Sequence, residues 1–176
     1  MKAGGGPRRR EQRGGSVEAH PRPSQRVRQV AVIGSSHAEF GSEPARLAEE
    51  VGRLLARAGV TVVCGGLTGV MEAVCRGAVE TGGEAIGIVP GNDVAEANPH
   101  CTHVVATGIG HARNLAVVAS SAAVIAIGGE WGTLSEIGFA RALGRYVVIL
   151  EPGLEVEGVP RAQTPEEAVE LALENS

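Results

Sequence analysis

The chain has 176 residues, 43% of them hydrophobic and 20% charged, which suits one globular domain able to bury its own core. Aromatic residues are only 2%, and residues 1–28 hold Lys2 and seven arginines against Glu11 and Glu18, a balance of +6 that leaves −10 for the remainder. A body this acidic and this poor in stacking surfaces is a poor nucleic-acid binder, and with Lys2 as its sole lysine the chain cannot build a P-loop or a Schiff-base site beyond its first residues.

Gly4-Gly5-Gly6-Pro7, Arg8-Arg9-Arg10, Gly14-Gly15 and Pro21-Arg22-Pro23 mark residues 1–28 as a disordered basic tail, and they contain no apolar stretch of the kind a secretory signal needs. A single domain is expected over residues 29–176. From Gln29 the chain alternates short apolar runs with helical patterns. Strands are predicted at 30–33, 60–64, 85–89, 103–106, 123–127 and 146–150, and helices at 43–57, 70–81, 111–120, 134–143 and 165–173. Continuous apolar runs of this length are expected of strands covered on both faces. The βα alternation therefore predicts an α/β fold: a Rossmann-like, doubly wound parallel sheet of six or seven strands in three layers, with ligands at the carboxyl ends of the strands. In the last helix Thr164, Pro165 and Glu167 form an N-cap, a first-turn proline and a capping box. Glu49 and Glu50 read as a solvated helix face.

The longest apolar stretch, 115–127, is broken by Ser120 and Ser121 and falls short of the ~20 residues needed to span a bilayer, so no membrane association is expected. Cys64, Cys75 and Cys101 are an odd set without a C-x-x-C pair, which fits a reducing cytoplasm and argues against a disulfide scaffold or a zinc site. His100-Cys101-Thr102-His103 has donor atoms, but such spacing in a loop entering a strand is usually incidental, and no metal site is expected.

Three glycine-containing turns follow three strands: Gly34-Ser35-Ser36, Gly65-Gly66-Leu67-Thr68-Gly69 and Gly128-Gly129-Glu130-Trp131-Gly132-Thr133. Glycine lets the backbone approach an anion, and the free N–H groups of the next helix then point at it, so a phosphate-bearing small molecule is the expected ligand. Tight turns also use glycine for purely steric reasons. Cys64-x-Gly66-x-x-Gly69 lacks the first glycine of a dinucleotide fingerprint, and no acidic residue closes the next strand; an NAD dehydrogenase is not expected. Trp131, the only tryptophan, reads as a ligand or interface contact rather than core.

Val32-Ile33-Gly34-Ser35-Ser36, Gly65 through Ala73, Gly82-Gly83, Ile88-Val89-Pro90-Gly91, Arg113-Asn114 and Gly129 through Glu136 together resemble the LONELY GUY (LOG) superfamily. That superfamily contains nucleoside monophosphate phosphoribohydrolases that activate cytokinins, together with molybdenum-cofactor carrier proteins. The resemblance implies a homodimer or larger homo-oligomer, no required cofactor, and a bound nucleotide, phosphate or molybdopterin. Members are often labelled lysine decarboxylases, a chemistry that the lysine-free body argues against.

Carried over by position, the resemblance makes Gly129, Gly132 and Thr133 the phosphate loop, with Arg113 and Glu136 catalytic. It puts Gly34, Ser35, Ser36, Gly65, Gly66 and Gly69 at the ligand. If the chain is an enzyme, the implied reaction is hydrolysis of the N-glycosidic bond of a nucleoside 5′-monophosphate; the alternative is a non-catalytic molybdenum-cofactor carrier. Gly128 stands where the hydrolases have proline and Glu130 where they have their second glycine, and the Gly-Gly-x-aromatic-Gly-Thr-Leu-Ser-Glu form is closer to the carriers. Two plainer uses stay open. Thr133 and Glu136 also have capping-box spacing, and Arg113 could be a surface ion-pair partner.

Overall fold

The apolar runs pair into one sheet. The computed structural model describes Met1, residues 28–150 and residues 152–176; apart from Met1 and Arg28, the predicted tail lies outside the described residues. The strands are β1 (Gln29–Gly34), β2 (Thr61–Cys64), β3 (Ala85–Val89), β4 (His103–Ala106), β5 (Ala123–Ile127), β6 (Tyr146–Leu150) and β7 (Arg161–Ala162). They lie in the order β4-β3-β2-β1-β5-β6-β7, and every neighbouring pair is parallel. Six strands match the sequence expectation to within one residue at either end. The seventh, a two-residue edge strand, was not predicted: Pro160-Arg161-Ala162 has no β-branched run, and pairing with Ile149 and Leu150 alone makes it a strand.

The helices α1 (Glu43–Arg57), α2 (Val70–Glu80), α3 (Arg113–Ala119), α4 (Trp131–Ala142) and α5 (Pro165–Glu174) cover both faces. Because side chains alternate along a strand, Val30, Val32, Ile125 and Ile127 point to one face and pack with Val51 and Leu55 of α1, Val74 of α2 and Val169 of α5. Ala31, Ile33, Val124 and Ala126 point the other way, against Val117 and Val118 of α3 and Ile137 and Ala140 of α4. β5 is buried along its whole length, as a central strand of such a sheet must be. The three-layer α/β architecture is the one the alternation predicts.

Glu49 departs from the solvated face expected of it. Its carboxylate accepts hydrogen bonds from Arg76 Nε at 3.1 Å and Nη2 at 2.8 Å and from Arg53 as well, linking α1 to α2. The chain runs from β1 outward to β4 and then returns to place β5 on the other side of β1. The connections leaving the ends of β1 and β5 therefore diverge to opposite faces, opening a crevice at this switch point.

Candidate functional site

An open cleft of about 200 Å³ lies at that switch point, lined by parts of all three glycine turns: Gly34, Ser35 and Ser36 after β1, Gly65 after β2, and Gly132 and Thr133 at the start of α4. Arg113 and Glu136 complete it. The remaining predicted glycines, Gly66, Gly69 and Gly129, sit behind this lining and shape it. A Cβ on Gly69 would lie 2.3 Å from Ser35 O, so only glycine lets the second turn run against the first, where Val70 N donates to Ser35 O at 3.0 Å and Thr68 Oγ1 to Ser36 O at 3.0 Å. Gly129 has φ +105°, and a Cβ there would stand 2.2 Å from Thr133 Oγ1. The loop thus bends back over its own helix start.

That helix begins three residues earlier than the sequence suggested, at Trp131, with Glu130 in the N-cap position and no side chain capping it. Thr133 therefore lies inside the first turn, which removes the capping-box reading of Thr133 and Glu136. Leu134 N donates to Glu130 O at 2.9 Å, whereas the first-turn N–H groups before it have no carbonyl of their own helix to reach. They face the cleft through Gly132 and Thr133, where the positive end of the helix favours an anion.

Arg113 opens α3 after a short 3-10 turn at Gly110–Ala112 and is only 7% exposed, which excludes the surface ion-pair reading. Its guanidinium lies against the backbone of Gly65, so close that a Cβ there would be 2.1 Å from Nη1. Nε is buried without a hydrogen-bond partner, and burial pulls the guanidinium below its ordinary basicity. Glu136, one turn into α4, is 6% exposed. Burial raises its carboxyl to about 7, while the field of Arg113 opposes the rise. Among the described residues no ion pair within 4.0 Å closes Arg113 onto Glu136. One cation and one carboxyl are thus buried in the wall of the cleft, beside a helix start that attracts anions.

Further residues line the cleft without having been predicted as site residues, among them Ile33, His37, Leu67, Met71, His111 and Asn114. Asn114 was legible as the neighbour of Arg113 in the quoted motif; the two histidines stand in turns with no local pattern to mark them. Glu130 also lines the mouth, exposed to solvent, so its charge is screened where it meets a ligand. Trp131 is 83% exposed, which excludes a core role, and it lies outside the cleft lining. No helix of the described residues is long and apolar enough to cross a membrane.

A fully parallel, three-layer sheet with a cleft at its switch point is the architecture of the Rossmann-like ligand-binding proteins. Residues 27–175 match the model of the SLOG cluster4 family, and the chain belongs to that family. It is 40% identical over 156 residues to an uncharacterized protein of Archaeoglobus fulgidus, covering 86% of this chain and 98% of the relative. Among solved structures it is similar to the molybdenum cofactor binding protein of Rippkaea orientalis, with 30% identity, a TM-score of 0.79 and coverage of 86% and 98% of the two chains. It is also similar to the molybdenum cofactor carrier protein of Chlamydomonas reinhardtii, with 26% identity, a TM-score of 0.75 and coverage of 85% and 98%.

Proposed function

We propose that this protein binds and carries a molybdopterin-type ligand, the pterin phosphate of the molybdenum cofactor, without turning it over. The observation that carries this reading is Arg113: a guanidinium 7% exposed, with a buried Nε that has no partner, beside a helix start with free N–H groups. A buried cationic donor left unpaired is costly unless a ligand supplies the acceptor. A phosphate at the start of α4, reached by Arg113 from below, satisfies both sets of donors. The cleft takes the phosphate end, and the open mouth leaves room for the attached ring system to extend past His37 and His111.

The similarity to the Rippkaea orientalis and Chlamydomonas reinhardtii proteins supports the pterin over other phosphates, as do Gly128 and Glu130, which depart from the hydrolase pattern. Calorimetry with molybdopterin, followed by gel filtration and fluorescence of the oxidised pterin, tests it. Arg113→Ala is expected to weaken binding at least ~10-fold. Undiminished retention of the pterin by that variant would overturn the reading.

A second reading is favoured by Glu136. Cleavage of an N-glycosidic bond builds positive charge on the ribose, and a carboxylate fixed beside it stabilises that charge and orients water. With its carboxyl near 7 and Arg113 opposite, Glu136 has an ionised form available at neutral pH. Release of free adenine from AMP by the wild type, lost on Glu136→Gln, identifies a phosphoribohydrolase; pterin binding with no base release identifies a carrier.

A further inference from the structure

Three thiols that the sequence scatters meet at one point. Cys64 closes β2, Cys75 lies in the middle of α2 and Cys101 enters β4, yet Cys64 Sγ is 3.4 Å from Cys75 Sγ and Cys75 Sγ is 3.8 Å from Cys101 Sγ. All three sulfurs lie within 4.8 Å of one another. Cys64 and Cys75 are buried and Cys101 is half-buried. The neighbouring strand makes room for them: a Cβ on Gly87, in the centre of β3, would stand 2.5 Å from Cys101 Sγ. A glycine inside a strand is otherwise a weakness, and here it admits a sulfur.

Polar groups are aimed at the cluster as well. Gly66 N donates to Cys64 Sγ at 3.3 Å, and the Asn98 amide, fixed by donating to Leu67 O at 2.9 Å, has its Nδ2 4.0 Å from Cys75 Sγ. Packing alone needs neither the convergence nor these donors, since Ala or Val would fill the same positions. N–H groups directed at sulfur are what a thiolate needs when it is taken out of water.

We propose that Cys64, Cys75 and Cys101 form a binding site for a single copper(I) ion held by three sulfurs. Three sulfurs bonded at about 2.3 Å to one centre stand roughly 3.8–4.0 Å apart, and the separations here need only small side-chain adjustments to meet that. Among the described residues no His, Asp or Glu supplies a fourth ligand atom within the cluster. Zinc asks for four ligands, whereas an all-thiolate site of low coordination suits a soft monovalent cation.

Cys101 is the entry ligand. Its sulfur is half-buried, 3.8 Å from Cys75 Sγ, whereas Cys64 and Cys75 are buried behind it. Copper(I) bonds first to Cys101, whose thiol gives up its proton to solvent. It then forms two more bonds as the Cys64 and Cys75 thiols each release a proton to solvent, with no change of oxidation state. The negative charge left behind is offset by the Gly66 N–H and by the Arg113 guanidinium, whose field reaches Cys64.

The test is a titration of the reduced, full-length chain with copper(I) under anaerobic conditions, against a chromophoric copper(I) chelator. The expected result is one copper(I) taken from the chelator per chain, with release of thiol protons, and an X-ray absorption shell of three sulfurs at about 2.3 Å. Cys101→Ser, at the half-buried position, is expected to keep the far-ultraviolet circular dichroism and melting temperature of the wild type while losing affinity more than ~10-fold. Cys75→Ser is expected to lose it as well. Copper(I) retention unchanged in Cys101→Ser, a shell containing nitrogen or oxygen, or failure of the reduced wild type to compete with the chelator would each overturn the proposal. A Cys64–Cys75 disulfide in the unreduced peptide map, with no copper(I) uptake after reduction, would overturn it in favour of a redox pair.

Discussion

The side chain of Arg113 occupies the space that a methyl group on Gly65 would fill, with Nη1 2.1 Å from where that Cβ would be. A backbone position after β2 thus fixes a guanidinium that α3 carries, and the two turns of the cleft are coupled through one missing carbon. Gly65→Ala is expected to displace Arg113 and weaken molybdopterin binding at least ~10-fold, as Arg113→Ala does. Because the guanidinium is the far end of a flexible side chain, the loss in stability should stay within ~1–3 kcal/mol. Paired calorimetry and thermal melts of the two variants check this; full affinity in Gly65→Ala would rule the coupling out.

Glu136 makes stability depend on pH. Its carboxyl is raised to about 7 in the folded chain and returns to 4.5 on unfolding. Between those values the native state holds the proton that the unfolded state releases, so stability falls as pH rises from about 4.5 to about 7 and levels off above. The difference corresponds to about 3 kcal/mol. Glu136→Gln, which cannot ionise, should melt higher than the wild type at pH 8 and near the same temperature at pH 4.5. Equal melting temperatures at both pH values would show that the carboxyl is not held neutral.

Thr164 caps α5 through its side chain, accepting from Glu167 N at 3.2 Å, while the Glu167 carboxylate reaches back to Gln163 N at 2.7 Å. Removing the cap with Thr164→Ala should cost about 1 kcal/mol, and Thr164→Ser should restore most of it. Urea unfolding of the three proteins gives the comparison. No change on Thr164→Ala would mean that tertiary packing alone holds the start of α5.

Gly129 holds φ +105° under the hydroxyl of Thr133. Any side chain there meets both a backbone region that L-residues avoid and a Thr133 atom 2.2 Å away. Gly129→Ala is expected to disturb the phosphate-facing turn of α4 and abolish ligand binding while the sheet stays intact. Retained binding, or loss of the far-ultraviolet signal, would contradict a role confined to the loop.

Strands β1 to β6 were legible because each is an uninterrupted apolar run, and a doubly wound sheet leaves such runs little else to do. The start of α4 was not. Glu130-Trp131-Gly132 has the composition of a loop, and only its place over the carboxyl end of β5 makes it helical. Arg113 and Glu136, 23 positions apart in the sequence, came together through the family resemblance and not through any local spacing. Burial of Arg113 could not be read at all, since the space it occupies is created by Gly65. The cysteines show the same limit more sharply: 11 and 26 residues separate them, no motif joins them, and parallel pairing of β2, β3 and β4 together with the packing of α2 on the sheet assembles them.

On the α1–α2 side the two helices meet backbone to backbone. A Cβ on Gly77 would lie 1.9 Å from Glu49 O, and one on Gly52 would lie 2.2 Å from Val74 O, so neither helix can slide or rotate without breaking that contact. Among the described residues the opposite face shows no such backbone contact between its helices, and its α3 and α4 carry Arg113, Thr133 and Glu136. The two faces of the sheet are therefore held differently, with α1 and α2 locked to each other through their backbones. Amide hydrogen exchange should be faster along α3 and α4 than along α1 and α2.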